Sequence, residues 1–274
     1  MIHSDVDIHP HAHVSPEAEI EPNVSIGPGA VIEKGARVGQ GTVIMANAVI
    51  TRYATIGRRC KIHYGAVIGG DPQDLTFNDV PTRVVLGDEV VVRECASIHR
   101  ATKPGAATII GKGCYLMVNS HVAHDCVLGE RVIVCNSALV AGHCFIGDRA
   151  FLSGNTVVHQ FSRVGPLVML SGISGVGRDI GPYLIVSGRS QVRGINVVGL
   201  RRAGLDGAAR LRVKDAYRAL FAAPKLEEGV DALRANGAAA HPEVAVITDF
   251  FAAESKRGFS RPKRGKVLGT SEDD

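Results

Sequence analysis

The 274-residue sequence has no tryptophan, and aromatic residues make up only 5% of it. That excludes a large core built on ring packing. No apolar run approaches the roughly 20 residues of a membrane span, so no transmembrane segment is expected. The opening MIHSDVDIHP has no apolar centre and is not a secretory signal. None of the six cysteines forms a CxxC pair, which argues against a thiolate zinc site. Without a secretory signal, they are expected as reduced thiols in a cytoplasmic protein. A formal charge of +4 is too mild and too dispersed to suggest nucleic acid. What the chain does have is 32 glycines and a 45% hydrophobic content rich in Ile, Val and Ala. Such a composition points to a repeat protein.

The repeat is six residues long. Stepping by six from Ile8 gives Val14, Ile20, Ile26, Ile32, Val38, Ile44, Ile50, Ile56, Ile62 and Ile68. The phase resumes at Leu86, Val92 and Ile98, and runs from Ile110 through Leu116, Val122 and Leu128 as far as Val176. Four positions after each aliphatic residue sits a small one, such as Ala12, Ala18, Thr42, Cys60 or Ala66. One aliphatic and one small inward residue per hexapeptide is the pattern of a parallel β-helix prism. Three hexapeptides close a triangular coil of 18 residues, with glycine-containing turns such as GPGA expected at the corners. Cys60, Cys114, Cys126 and Cys144 fall in the small inward slot and read as packing residues.

Two segments break the rhythm and are expected as loops, 69–83 around Asp74 and 99–109 around Pro104. Loops of that length on a rigid scaffold often carry function. Beyond 191 the pattern turns helical. Val213, Ala216, Tyr217, Leu220 and Phe221 would share a face, as would Leu226, Val230 and Leu233, and then Val246, Phe250 and Phe251. The expected organisation is a β-helix over 1–191, a small α-helical domain over 192–257 and a disordered basic tail over 258–274.

Inside this apolar prism the stretch VNSHVAHDCVLG, 118–129, carries two histidines and an aspartate. A coil of 18 residues stacks His124, Gly142 and Gln160 in one column, and Asp125, His143 and Phe161 in the next. Histidine is the usual general base near neutral pH, and a carboxylate holds its tautomer. A backbone N–H beside them can receive an oxyanion, and glycine lets the reacting atoms approach. This chemistry suits acyl transfer to a hydroxyl without a protein nucleophile. Solvated histidines on an inert prism, or zinc shared between subunits, are the competing readings. His121 and His124 stand three apart on a strand and should point to different sides, against a metal.

The hexapeptide prism, with QDL at 73–75, PTRVVLG at 81–87, HRAT at 99–102, SHVAHDC, LVAGH, VVHQF and GINVVGLRRAG, resembles the UDP-N-acetylglucosamine O-acyltransferase family. The resemblance spans roughly 1–257. It implies a left-handed parallel β-helix assembled as a homotrimer, with active sites between adjacent prisms. It further implies cytoplasmic transfer of a 3-hydroxyacyl chain from the phosphopantetheine thioester of acyl carrier protein to the 3-position of a UDP-sugar. That reaction opens lipid A biosynthesis and needs no cofactor and no metal. By motif, His124 would be the general base, Asp125 its partner and Gly142 the oxyanion donor. Asp74, His121, His143 and Gln160 would line the sugar or acyl site, and Asn196, Arg201 and Arg202 would meet the nucleotide diphosphate or the donor. Guanidinium forks suit phosphate oxygens. Gly172 would admit a long acyl chain, and Arg210, Arg212, Lys214 and Arg218 would suit an acidic carrier protein.

The sequence departs from the family pattern at Thr76, where lysine is usual, at Val198, where an acid is usual, and in 187–194, which is about one residue short. These departures leave the acceptor open between a 3-hydroxyl and a 3-amino sugar. A coenzyme A-dependent sugar acetyltransferase and a zinc carbonic anhydrase on the same prism are the further alternatives.

Overall fold

In the computed structural model, which describes residues 1–262 and the backbone of 269 and 270, two-residue strands stack into three sheets. The second residue of such a strand points inward and is buried, as in Glu19–Ile20, Arg37–Val38 and Lys61–Ile62. The pairing is parallel with the expected 18-residue offset: Ile8 lies beside Ile26, Val14 beside Ile32 and Ile20 beside Val38. Across the first loop Ile68 pairs with Ile98, and across the second Ile98 pairs with Val122, so both loops return in phase. The interior is one continuous column of Ile, Val, Leu, Ala and Cys. Each fully buried aliphatic side chain contributes about 1.5–3 kcal/mol relative to exposure.

The corners differ from expectation. Glycine makes some of them, but Asn23, Asn47, Arg59, Asp125, His143 and Phe161 also hold left-handed backbone, with φ between 53° and 67°. Isolated non-glycine residues avoid this region. Here the stack holds them there, because the corner N–H donates to the coil below. His143 donates to the His124 carbonyl, Phe161 to that of Gly142, and Asp125 to the Thr108 hydroxyl. The inward cysteines are packing residues as expected. Cys60, Cys114, Cys126 and Cys144 are buried, and each thiol lies 3.0–3.2 Å from a backbone carbonyl of the next coil. Burial pushes the Cys60 and Cys114 thiols up to about 11.

The prism ends in an antiparallel hairpin, Leu184–Ser187 with Gln191–Ile195. Four helices follow: α1 (Val197–Arg202), α2 (Gly207–Ala222), α3 (Leu226–Ala235) and α4 (Pro242–Ala252). The helical region therefore begins a few residues later than 192. Tyr217 of α2, fully buried, donates to the Pro182 carbonyl at 2.6 Å and fixes the helices to the last coil. The inward face of α4 is Val244, Ile247 and Phe251, whereas Val246 is exposed. The first residues of the expected tail lie against the end of the prism. Phe259 pairs with the buried Asp179, which also accepts from the backbone and guanidinium of Arg163. Residues 269 and 270 run parallel to the hairpin, and the rest of the tail lies outside the described residues. No helix among the described residues is long and apolar enough to cross a membrane.

Candidate active site

The corner after strand His121–Val122 turns two polar side chains outward. His124 Nδ1 lies 2.8 Å from Asp125 Oδ2. The same carboxylate accepts the Thr102 hydroxyl at 2.7 Å and the Thr102 N–H. Burial pushes the Asp125 carboxyl up, but the hydrogen bonds from Thr102 and His124 outweigh it and hold the group below the usual carboxylate range. An ionised carboxylate only accepts, so the hydrogen between the two groups is on Nδ1 of His124, and Nε2 is the ring nitrogen left to face a substrate.

The stacking column lands as the period requires. A Cβ at Gly142 would lie 2.5 Å from the His124 ring, so only glycine leaves the imidazole its place. The Gly142 N–H has no partner among the described residues. In the neighbouring column the His143 ring stacks on Phe161, with centroids 4.8 Å apart, and meets the His124 ring edge-on. Its Nε2 lies 3.7 Å from Asp125. Burial pulls His143 below its ordinary range, and His124 and Lys256 act in the same direction against Asp125. His121 bonds the Ser97 hydroxyl at 2.9 Å and packs edge-on against His99, while burial depresses it, helped by His124. Asp74, on the first loop, is held low by the Thr76 N–H and hydroxyl, with a smaller lowering from His124 and His143.

Other expected residues lie elsewhere. Asn196 and Arg202 line a cleft of about 1020 Å³ on a different face of the prism, with Ile133, Phe151 and Met169 beneath them. Val198 lines it too. Asn196 is the N-cap of α1, its amide already engaged by the Gly199 N–H and the Leu167 carbonyl. Arg201 is exposed outside that lining. Gly172 sits at an exposed corner where a Cβ would only touch the Gly154 carbonyl at 3.6 Å. Gln160 occupies its column position, partly exposed. Of the four basic residues assigned to a carrier protein, Arg210 donates to Leu205, Arg212 pairs with Glu243 and Arg218 with Asp215. Only Lys214 lacks such a contact among the described residues.

His124, Asp125 and His143 present ligand atoms all within 4.8 Å of one another. His121 is not in this group, as its position on the strand required. Within this trio only His124 and Asp125 are hydrogen-bonded; His143 Nε2, 3.7 Å from the carboxylate, is beyond hydrogen-bonding distance. Sequence reasoning missed Thr102, Thr108 and Lys256, whose ammonium lies 4.9 Å over the Phe161 ring. None of them is 18 residues from its partner, so the stacking rule is blind to them.

A stacked hexapeptide prism with a His–Asp pair on one corner, closed by a helical domain, defines a hexapeptide-repeat acyltransferase. Residues 179–260 match the family described as UDP N-acetylglucosamine O-acyltransferase, domain 2, and 107–142 match the bacterial transferase hexapeptide repeat. Residues 2–104 match the GMPPB C-terminal domain. A UDP-N-acetylglucosamine acyltransferase from Bacteroides fragilis is 39% identical over 93% of this chain and 100% of its own, with a TM-score of 0.87. Those from Campylobacter jejuni and Acinetobacter baumannii are 33% and 32% identical, each over 93% of this chain and 99% of its own, with TM-scores of 0.87 and 0.88. The chain belongs to the UDP-N-acetylglucosamine acyltransferase family.

Proposed function

We propose that the protein transfers a 3-hydroxyacyl chain from acyl carrier protein to the 3-hydroxyl of UDP-N-acetylglucosamine, in the cytoplasm, as the opening step of lipid A biosynthesis. The observation that carries this reading is the His124 ring, oriented by Asp125 and seated against the bare backbone of Gly142. Nε2 of His124 takes the proton of the sugar hydroxyl as its oxygen attacks the thioester carbonyl. The tetrahedral oxyanion is received by the Gly142 N–H. Collapse breaks the carbon–sulfur bond, and the imidazolium returns its proton to the departing pantetheine thiolate. No acyl-enzyme forms in this scheme, in keeping with the buried inward cysteines, of which Cys60 and Cys114 have thiols raised by burial.

The reading includes a homotrimer. Asn196 and Arg202 line a cleft on another face of the prism from His124, so one chain alone does not offer both to a single nucleotide sugar. Three prisms side by side would bring one chain's Arg202 cleft to its neighbour's dyad. Arg202→Ala is then expected to raise the KM for the nucleotide sugar with kcat little changed. Light scattering at the mass of a trimer supports the assembly; a monomer with full activity refutes it.

The deciding assay offers UDP-N-acetylglucosamine, its 3-amino analogue and a ladder of 3-hydroxyacyl carrier proteins together, with products weighed by mass spectrometry. An ester product supports the reading and gives the chain length. Product from the amino analogue alone keeps the mechanism and moves the acceptor, with Thr76 at Asp74 and Val198 in the cleft as the responsible positions. Product from acyl-coenzyme A alone replaces the donor. Loss of activity on chelation, restored by zinc, replaces the metal-free mechanism.

A further inference from the structure

The segment His99 to Thr102 leaves the prism beside the site, and its arginine is the largest fully buried side chain among the described residues, 1% exposed. A buried guanidinium is costly unless all its donors are met. Arg100 meets them. Nε donates to Asp71 at 2.8 Å, and Nη1 donates to the Val80 carbonyl at 2.7 Å and the Thr82 hydroxyl at 3.2 Å. Nη2 pairs with Asp71 and Asp79. The group also lies 4.5 Å from the Tyr53 ring centroid and 4.6 Å from that of Phe77.

Apart from Tyr53, these partners lie in the single segment 71–82, gripped at its start and at its end. Between the grips stands Asp74, whose carboxylate is held by the neighbouring Thr76, beside a fully exposed Leu75. The loop therefore has little apolar burial of its own to fix its course. Two residues after Arg100, Thr102 holds the Asp125 carboxylate. One short segment thus ties both the loop and the dyad to the same backbone.

We propose that Arg100 is a positioning residue for sugar recognition: its fork clamps the two ends of the 71–82 loop and so fixes the course of the segment that carries Asp74. The inference rests on the reading of Asp74 as a ligand of the acceptor sugar. Lysine keeps the charge but has no fork, so it separates clamping from mere neutralisation of Asp71 and Asp79.

The test combines Arg100→Lys, Arg100→Ala and Asp79→Asn with steady-state kinetics and hydrogen exchange on the intact protein. Arg100→Lys is expected to raise the KM for UDP-N-acetylglucosamine about tenfold or more, with the donor KM unchanged and kcat within about threefold. Exchange should quicken in 71–82 and stay unchanged in the coils around His121 and Val140. Asp79→Asn, which weakens the exposed carboxylate that Arg100 shares with Arg52, should shift both readouts in the same direction by less. Millimolar guanidinium should lower the sugar KM of Arg100→Ala, where methylammonium does not. An unchanged sugar KM in Arg100→Lys overturns the proposal, as does a fall in kcat that merely tracks loss of folded protein. If the wild-type protein acylates no sugar, the acceptor reading fails instead. Loop exchange then decides the clamp alone, and unchanged exchange in Arg100→Lys refutes it.

Discussion

The coils below Ile68 and the coils from Ser97 to Val164 share one interior and differ at their corners. Val31–Ile32 and His121–Val122 lie in the same sheet, on the same vertical line of the prism. After the first pair the corner residues are Lys34 and Gly35; after the second they are His124 and Asp125. Lys34 reaches into solvent and pairs with Glu17, while His124 is buried against Asp125 and the rung above. The inward residues, Ile32 and Val122, are equally buried. In the proposed reading, stability and chemistry are therefore carried by different positions of the same hexapeptide. On that reading, the His124 corner differs from the Lys34 corner because Thr102, from outside the coils, leans against it.

The largest effect expected from breaking this comparison is at the corner itself. His124→Ala should reduce turnover by about 10²–10⁴-fold with little change in melting temperature, whereas Lys34→Ala at the matching corner should leave both as they were. Equal losses in the two variants would refute the division of roles. The interior should behave the opposite way. Ile32→Ala is expected to cost about 2–5 kcal/mol in denaturant unfolding while the folded fraction turns over normally. A kcat defect in proportion to distance from the site would instead mean that the prism transmits strain.

Thr102→Val comes next. Losing the hydroxyl's hydrogen bond raises the Asp125 carboxyl from its depressed position, so the acid limb of the pH–rate profile should move to higher pH. An unmoved limb would show that Thr102 does not tune the dyad. A smaller effect concerns His99, which burial, with help from His121 and His124, pulls down to about 4 from 6.5. Between those values the unfolded chain binds a proton that the folded chain does not, so stability falls as pH drops through this window and is fully present above it. His99→Gln should flatten that part of the unfolding curve; an unaltered slope would assign the acid sensitivity elsewhere. Least of all, Cys144→Ala should leave turnover intact and resistance to thiol reagents unchanged, since its thiol faces the interior. Loss of activity there would reopen a thiol mechanism.

The period alone was enough to place His124 beneath Gly142 and His143 beneath Phe161, because in a prism sequence distance converts directly into height. It failed wherever the chain leaves the prism. Thr102 lies 23 residues before the Asp125 it holds, a spacing that no stacking rule generates. Arg100 reads as an ordinary charged residue until the loop it binds has been folded around it. At the corners, glycine was overvalued, since repeated hydrogen bonds between coils hold Asn, Asp and His in left-handed backbone as well. In the helical part, α4 turned Val246 outward, because an almost wholly apolar helix gives no clear face in sequence. The Glu243 that pairs with Arg212 of α2 is likewise invisible in the sequence pattern, because tertiary packing brings it in from α4.

The imidazole of His124 occupies the volume that any other residue at position 142 would claim with its first side-chain carbon. Gly142 has no unusual backbone angle, so alanine would be tolerated by the chain and resented only by the ring. The reactive centre is in that sense a gap maintained in a crowded lattice, and a single methyl group would act as its plug. Gly142→Ala should yield a protein that folds and still recognises its nucleotide sugar but has lost its base to displacement. Such an arrested form would let substrates be soaked together without being consumed.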